Sequence, residues 1–370
     1  MLKDKRIEKL AQMLVNYSIS MKEGENVLIK APVKAKPLIL ALVRAIREGK
    51  GNAIVELSDP DIGREVMLGM SDKWLDRSYR WMDAKLDDLD CIISIRASES
   101  DYTDVDVPME TKLKIAKKLN PLSEKNLSKK WVLLNYPTEG AAHKARMSYD
   151  AYFDYVIGVS AIDYSVMNKA FEPLKNLMEK TDRVRLVAKG TDLSFSIKGM
   201  NAIPCAGNNN IPDGEIFTAP VRNSVNGTIT YNTPSPQRGV VFTGVSLTFE
   251  NGKIIKAVAD QENDLLEQIF NTDEGARYVG EFAIGVNPLV TRPMGDILFD
   301  EKIAGSIHFT PGRCYTEAPN GNDSAIHWDL VQIQRPEYGG GEIYFDDILI
   351  RKDGMFVIPE LLGLNPENLK

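Results

Sequence analysis

Cys91-Ile92-Ile93-Ser94-Ile95 is a short run of apolar residues with no charge and no alternation. It is too short for a helix and too uniformly apolar for a strand with one wet face. It therefore reads as a strand buried on both sides. Three more segments of the first half are short and mainly apolar, with Lys30 and Glu56 their only charges: Val27-Leu28-Ile29-Lys30, Ala53-Ile54-Val55-Glu56-Leu57 and Trp131-Val132-Leu133-Leu134. Helical spacing lies between them. Ile7, Leu10, Ala11, Leu14 and Val15 mark one helix, and Ala35 to Glu48 a second that ends at Gly49 and Gly51. Trp74 to Leu89 reads as a third, and Leu113, Ile115, Ala116 and Leu119 mark a fourth. Buried strands separated by helices indicate an α/β domain with a doubly wound, mainly parallel sheet.

Helical patterning continues to about Lys180, and then the character changes. Arg183 to Ile197, Thr228 to Tyr231 and Gly244 to Phe249 alternate, and Asn251-Gly252 is a strong hairpin signal. The second half is expected to be α+β and mainly antiparallel, with one helix from about Asp260 to Val279. These readings divide the chain into residues 1–181 and 182–370.

Composition sets wide bounds. The chain has 370 residues, enough for two domains, and its 45 basic and 52 acidic residues leave a net charge of −7. An acidic balance argues against nucleic acid as the main partner. No apolar run reaches the ~18 residues that would span a bilayer, so no membrane partner is expected. Met1-Leu2-Lys3-Asp4-Lys5-Arg6 opens an amphipathic helix without the apolar core of a signal peptide. Cys91, Cys205 and Cys314 are scattered, with no C-x-x-C, which suits a reducing compartment. A cytoplasmic location is expected.

The chemistry concentrates in the last quarter. His327 and Asp329 stand two apart in Ile326-His327-Trp328-Asp329-Leu330, which reads as a buried strand. Residues i and i+2 of a strand share a face, so the imidazole and the carboxylate are expected side by side as a metal-ligand pair. His308 lies upstream in Ser306-Ile307-His308-Phe309. His143, in Ala141-Ala142-His143-Lys144, reads as an exposed helix residue. Gly339-Gly340-Gly341 is a glycine loop and not a dinucleotide fingerprint. There is no phosphate loop, no nucleophile elbow and no H-E-x-x-H.

Four segments carry acidic or imidazole groups in apolar or glycine-rich settings. They are Asn210 to Pro220, containing Asp213-Gly214-Glu215-Ile216-Phe217-Thr218-Ala219-Pro220; Thr272 to Ala283, containing Asp273-Glu274-Gly275-Ala276-Arg277 and Gly280-Glu281; Leu298 to Tyr315; and Asn322-Asp323-Ser324-Ala325-Ile326-His327-Trp328-Asp329. Together they resemble the dinuclear metallo-aminopeptidases of the aminopeptidase T, aminopeptidase S and PepS type. The match runs in consistent order through the second half.

The resemblance implies a metal-dependent aminopeptidase that releases N-terminal residues from peptides with two divalent ions (Zn, Co, Mn or Mg). It makes Glu215, Glu281, His308, His327 and Asp329 metal ligands, with Glu281 bridging and catalytic, and Tyr315 the active-site tyrosine. Glu301 is a further candidate ligand. Many relatives place their histidine five residues after this glutamate, whereas His308 follows Glu301 by seven, which leaves its membership of the set open. The resemblance also implies a homodimer whose active sites open into an internal cavity, and a peptide with a free N-terminus as partner.

Each of these residues has an ordinary reading when taken alone. Glu215 and Glu281 would be edge or helix-end charges, Tyr315 a packed phenol, and His308 a core histidine. It is their joint occurrence that points to chemistry. Three carboxylates and two imidazoles supply the mixed oxygen and nitrogen set that two divalent ions need. The alternative on the same fold is a mononuclear Fe(II) ring-cleaving dioxygenase using His308, His327 and Asp329. Such a site would not need Glu215 or Glu281.

Overall fold

A computed structural model describes residues 4–100 and 102–369. The first three residues of the expected N-terminal helix lie outside that range. The helix itself, α1, runs Lys5–Met13, and the Asp4 side chain caps it by accepting from the Arg6 amide. The chain forms two compact units, Met1–Ala161 with Gly207–Pro212, and Ile162–Ala206 with Asp213–Lys370.

The first unit is α/β. Strands β1 (Asn26–Pro32), β2 (Asn52–Ser58), β3 (Cys91–Arg96) and β4 (Lys130–Asn135) are separated by α2 (Lys36–Glu48), α3 (Pro60–Leu68), α4 (Asp72–Asp87) and α5 (Met109–Leu127). Helices α6 (Glu139–Lys144) and α7 (Tyr149–Ser160) follow. The sheet has the order β2-β1-β3-β4-β8, where β8 is Asn210–Ile211, and every pairing in it is parallel. The order reverses at β1, the mark of a doubly wound sheet. Leu28 and Ile92 meet Leu86 of α4 and Leu122 of α5 on one face. Val27 and Ile29, which point the other way, are equally buried. Strand β2 departs from the expectation of two buried faces. It is the sheet edge, and Val55 and Leu57 are exposed. His143 is exposed on α6, as expected.

The second unit opens with helix α8 (Tyr164–Met178), so the helix-to-strand transition near residue 181 falls inside this unit. Its larger sheet has the order β14-β13-β10-β6-β5-β18-β19-β20. The strands are β5 (Arg183–Ala188), β6 (Thr191–Ser196), β10 (Asn226–Thr230), β13 (Ser246–Glu250), β14 (Lys253–Val258), β18 (Gly341–Phe345), β19 (Ile348–Lys352) and β20 (Met355–Phe356). Glu250 pairs with Lys253 across Asn251-Gly252, and both turn residues have positive φ, as a type I′ turn requires. The smaller sheet has the order β17-β16-β15-β9-β7 and is antiparallel throughout. It consists of β7 (Ile203–Cys205), β9 (Glu215–Thr218), β15 (Val279–Gly285), β16 (Ser306–Pro311) and β17 (Val331–Ile333). A hairpin of β11 (Ser235–Gln237) and β12 (Val240–Phe242) stands apart.

Alternation divides the labour of the smaller sheet. Phe282 of β15 and Phe309 of β16 point to one face, where they pack on Phe195 of β6 with ring centroids 5.0 Å away in each case. The residues between them point to the other face, and those are the polar ones.

Two expected elements differ. The helix expected over 260–279 is α9 (Asn263–Phe270), followed by a single 3-10 turn at Gly275–Arg277. Asp273 stops it. Its carboxylate accepts from the Ala276 amide, a local bond that competes with helix, and from the distant Ser324 hydroxyl and Ala325 amide. The segment Ile326–Leu330 is also no regular strand. Only a bridge between Gly312 and His327 forms there, and the ladder with β16 begins at Val331 opposite His308. Strand β16 ends in Pro311, which has no amide proton, and Gly312 then turns away at φ 111°.

Candidate metal centre

The polar face of the smaller sheet carries the site. Glu215 on β9 pairs with Gly285 of β15, while Ala283 of β15 pairs with His308 of β16 and Glu281 with Thr310. These registers place Glu215, Glu281 and His308 on one face of three adjacent strands. Ala283 and Gly285 between them are small, which leaves room above the sheet. All three functional side chains are buried.

Two glycines admit the remaining groups. A β-carbon at Gly285 would stand 2.6 Å from the Ile303 carbonyl oxygen and 2.9 Å from that of Glu301. Only glycine lets this turn, just after the one-turn helix α10 (Ile297–Asp300), lie against the sheet. The turn delivers Glu301 and Lys302. A β-carbon at Gly312 would meet the Ile326 carbonyl oxygen at 2.1 Å. Glycine there lets the segment bearing His327 and Asp329 approach.

The long motifs act partly as staples. Asn322 donates to the carbonyls of Gly275 and Gly312. With the Asp273 bonds to Ser324 and Ala325, this ties three segments to one another beside His327.

The side chains converge in two groups. One is Glu215, Glu301 and His308; the other is Glu281, His327 and Asp329. His308 Nε2 lies 3.3 Å from Glu215 Oε2 and 3.3 Å from Glu281 Oε1. His327 Nε2 lies 3.2 Å from Glu281 Oε2 and 3.2 Å from Asp329 Oδ1. Thus each oxygen of Glu281 faces a different imidazole. His327 Nδ1 donates to the Arg313 carbonyl at 2.8 Å, which turns Nε2 toward the carboxylates. The Thr310 hydroxyl donates to Asp329 at 2.7 Å.

This donor set fits divalent ions. Glu215 Oε2 and His327 Nε2 are buried without a well-aligned hydrogen bond, although carboxylate or imidazole atoms stand close by. His308 and Glu281 share a hydrogen bond at 3.3 Å, but the other three contacts, at 3.2–3.3 Å, form none and are arranged like ligands. Around a tetrahedral ion with bonds of ~2.0–2.1 Å, neighbouring ligand atoms stand about 3.3–3.4 Å apart.

Electrostatics agree. Burial alone would lower the His308 pKa, but Glu215 and Glu281 outweigh it and hold the imidazole at about 9. Burial acts likewise on His327, and Asp329 and Glu281 raise it to about 12. The same pairs keep Glu281 and Asp329 below the usual carboxylate range against the upward push of burial. Burial lifts Glu215 to about 7 and raises Glu301 as well, with Lys302 partly opposing in both cases.

All seven expected residues lie in or beside this centre. Glu301, whose place the spacing left open, stands with Glu215 and His308. Tyr315 is 46% exposed, with its ring centroid 4.8 Å from that of His327 and 5.4 Å from that of Phe217. A cavity of about 200 Å³ shares a wall with His327 and Asp329 and is lined further by Pro234, Pro236, Ile297 and Val331. Sequence reasoning missed Lys302, which is completely buried among the carboxylates. A lysine beside a glutamate ordinarily signals a wet surface. The apolar Ile303-Ala304 that follows was the available hint.

The sequence profile of the thermophilic metalloprotease family (M29) matches residues 3–356. The chain belongs to this family. Among its relatives are aminopeptidase T of Thermus thermophilus, 24% identical with 88% of this chain and 92% of the relative covered, and aminopeptidase 2 of Geobacillus stearothermophilus, 24% identical with 95% of each covered. Aminopeptidase PepS of Streptococcus thermophilus is 22% identical, over 88% of this chain and 87% of the relative. The structure of wild-type AmpT from Thermus thermophilus superposes with a TM-score of 0.81 at 21% identity, covering 96% of this chain and 99% of that one. The fold of the family is therefore present along almost the whole chain: a parallel sheet with helices, then an antiparallel, sheet-rich part. Membership makes the protein a metalloprotease. Nothing in these comparisons favours the iron dioxygenase alternative. Among the described residues no helix is long and apolar enough to cross a membrane.

Proposed function

We propose that the protein is a metal-dependent aminopeptidase with two divalent ions, one held by Glu215, Glu301 and His308, the other by His327 and Asp329, with Glu281 shared between them. The observation that carries the two-ion reading is Glu281, whose Oε1 faces His308 and whose Oε2 faces His327. When bound, such ions supply Lewis acidity, which lowers the pKa of a water and polarises a carbonyl.

The chain's own groups do the rest. The buried carboxylates would offset the charge of the two ions, and an ion so held would accept the lone pair of a free α-amine. The cavity beside His327 takes the side chain of the first residue. Tyr315, half exposed against His327, is placed to donate its hydroxyl to the oxyanion of the attacked carbonyl. Tyr315→Phe should lower kcat by about 10²–10³-fold, the usual cost of one such donor, and change KM little. An unchanged kcat would make Tyr315 a packing residue.

The reading extends to a cytoplasmic homodimer. The free thiols of Cys91, Cys205 and Cys314 suit a reducing compartment. The exposed Val55 and Leu57 on edge strand β2 are the kind of surface a second copy covers.

Metal loading tests the site. Without an ion, His308 and His327 both carry a proton at pH 7, since their pKa values are raised to about 9 and about 12. Ligation requires neutral imidazoles, so loading at pH 7 should release roughly two protons per chain, plus a fraction from Glu215. Near pH 10 His308 has already lost its proton and the release should fall to about one. Affinity should accordingly rise with pH. Calorimetric titration of metal-free protein with Zn²⁺, repeated in buffers of different ionisation enthalpy, measures both stoichiometry and proton count. Uptake of two ions with no proton release would show that the imidazoles are not ligands.

A further inference from the structure

Lys302 is wholly buried, and its Nζ stands 2.5 Å from Glu215 Oε1, 2.6 Å from Glu301 Oε1 and 3.7 Å from Asp213 Oδ1. An ammonium withdrawn from water is costly to hold unless carboxylates surround it closely. Here they do, and two of them also belong to the group around His308. Glu215 is divided between the two tasks. Its Oε1 meets the ammonium, while its Oε2, without a hydrogen bond, stands 3.3 Å from His308 Nε2. The lysine also fills a third corner. Cys205, Asp213 and Glu215 offer ligand atoms within 4.8 Å of one another, and the ammonium is already seated at two of these three residues.

We infer that Lys302 is a positioning residue for the inner metal group. It grips Glu215 and Glu301 by one oxygen each, presents them to an ion beside His308, and occupies the Cys205–Asp213–Glu215 corner as a permanent cation, so that no ion binds there. The reasoning is steric and electrostatic. Without the ammonium, the carboxylates of Asp213, Glu215 and Glu301 face one another in a dry pocket, with only the His308 imidazole beside Glu215 to offset them. They then relieve their repulsion by turning apart, and the inner donor set loses its geometry. The outer group of Glu281, His327 and Asp329 makes no contact with Lys302 in the salt-bridge and hydrogen-bond network, and is held by Arg313 and Thr310. The effect is therefore selective for one ion of the pair.

The inference rests on the two-group reading above, and the test separates the two. Metal-free wild type, Lys302→Met and Lys302→Gln are titrated with Zn²⁺ by calorimetry, each alone and in an Asp329→Asn background that cripples the outer group. Wild type should take two ions. The Lys302 variants should bind one ion with affinity within about threefold of wild type, while the inner ion weakens at least tenfold. In the Asp329→Asn background the single remaining ion should weaken at least tenfold when Lys302 is also replaced. Retained outer binding reports that the fold is intact. One ion in wild type would remove the two-group reading itself. Two ions in wild type with an unchanged or tighter inner ion in the Lys302 variants would overturn the positioning role, leaving the ammonium a mere repulsive neighbour. A third ion entering the vacated corner with the inner ion unchanged would do the same. Loss of both ions and of the cooperative melt in both variants would assign Lys302 to the fold and overturn the proposal too.

Discussion

Glu281→Gln should remove peptidase activity and both metal ions together while leaving the fold in place. Glu281 lies on β15, a strand buried along its length and paired on both sides, by β9 and by β16. Glutamine keeps its shape, so the ladder and the aromatic packing of Phe282 behind it are not disturbed. The chemistry is disturbed at two points. One carboxylate oxygen faces His308 and the other faces His327. An amide presents an N–H₂ group to one of them, which cannot ligate, and supplies no charge to either. A partner that only orients a ligand typically costs 10–100-fold in affinity or activity, so a shared ligand should cost more than about 10²-fold. Circular dichroism and metal analysis of the purified variant, together with turnover of a leucyl amide, check this. If only one ion were lost, Glu281 would belong to one group alone. If neither were lost and turnover stayed normal, it would be no ligand.

The fold was readable wherever a local period reported burial. The run at Cys91–Ile95 led directly to a central parallel strand, and Asn251-Gly252 led to a turn with two positive φ angles. The apolar character of Ala53–Leu57 misled because an edge strand of an isolated chain can be as apolar as a central one. The stretch 271–279 misled for another reason. Its helical spacing is overridden by Asp273, two of whose three bonds go to residues some fifty positions away that no local pattern announces. The site divides in the same way. His327-x-Asp329 was legible because an extended backbone of any kind puts i and i+2 together. The pairing survives although the segment is not a strand. Glu301 could not be placed from spacing. Its position depends on how closely the turn after α10 approaches Gly285, a contact between distant parts of the chain. Lys302 was invisible for the same cause. Burial of a charged side chain is decided by partners that only the fold assembles, here Asp213 and Glu215. Even the orienting role of the Arg313 carbonyl is a backbone property that no residue type announces.

Acetylating the substrate's N-terminus should abolish cleavage, the second large effect expected. The cavity beside His327 and Asp329 is walled by two of the groups that would hold an ion. A free α-amine has a basic lone pair that an ion held there would accept. The nitrogen of an acetamide has none to offer, and the acetyl group adds bulk where the chain must end. The cavity of about 200 Å³ that shares its wall with His327 and Asp329 is sized for one side chain. The first residue therefore sets the register, and a scissile carbonyl displaced by ~1 Å already loses about 10²-fold in rate. Comparing a leucyl amide with its N-acetyl derivative at equal metal loading measures the effect, which should be at least that large and should appear in kcat/KM. Equal turnover of the two would mean that the cleft admits chain on both sides of the scissile bond. The protein would then be an endopeptidase of the same family, with the metal centre unchanged and the anchoring role of the free α-amine removed.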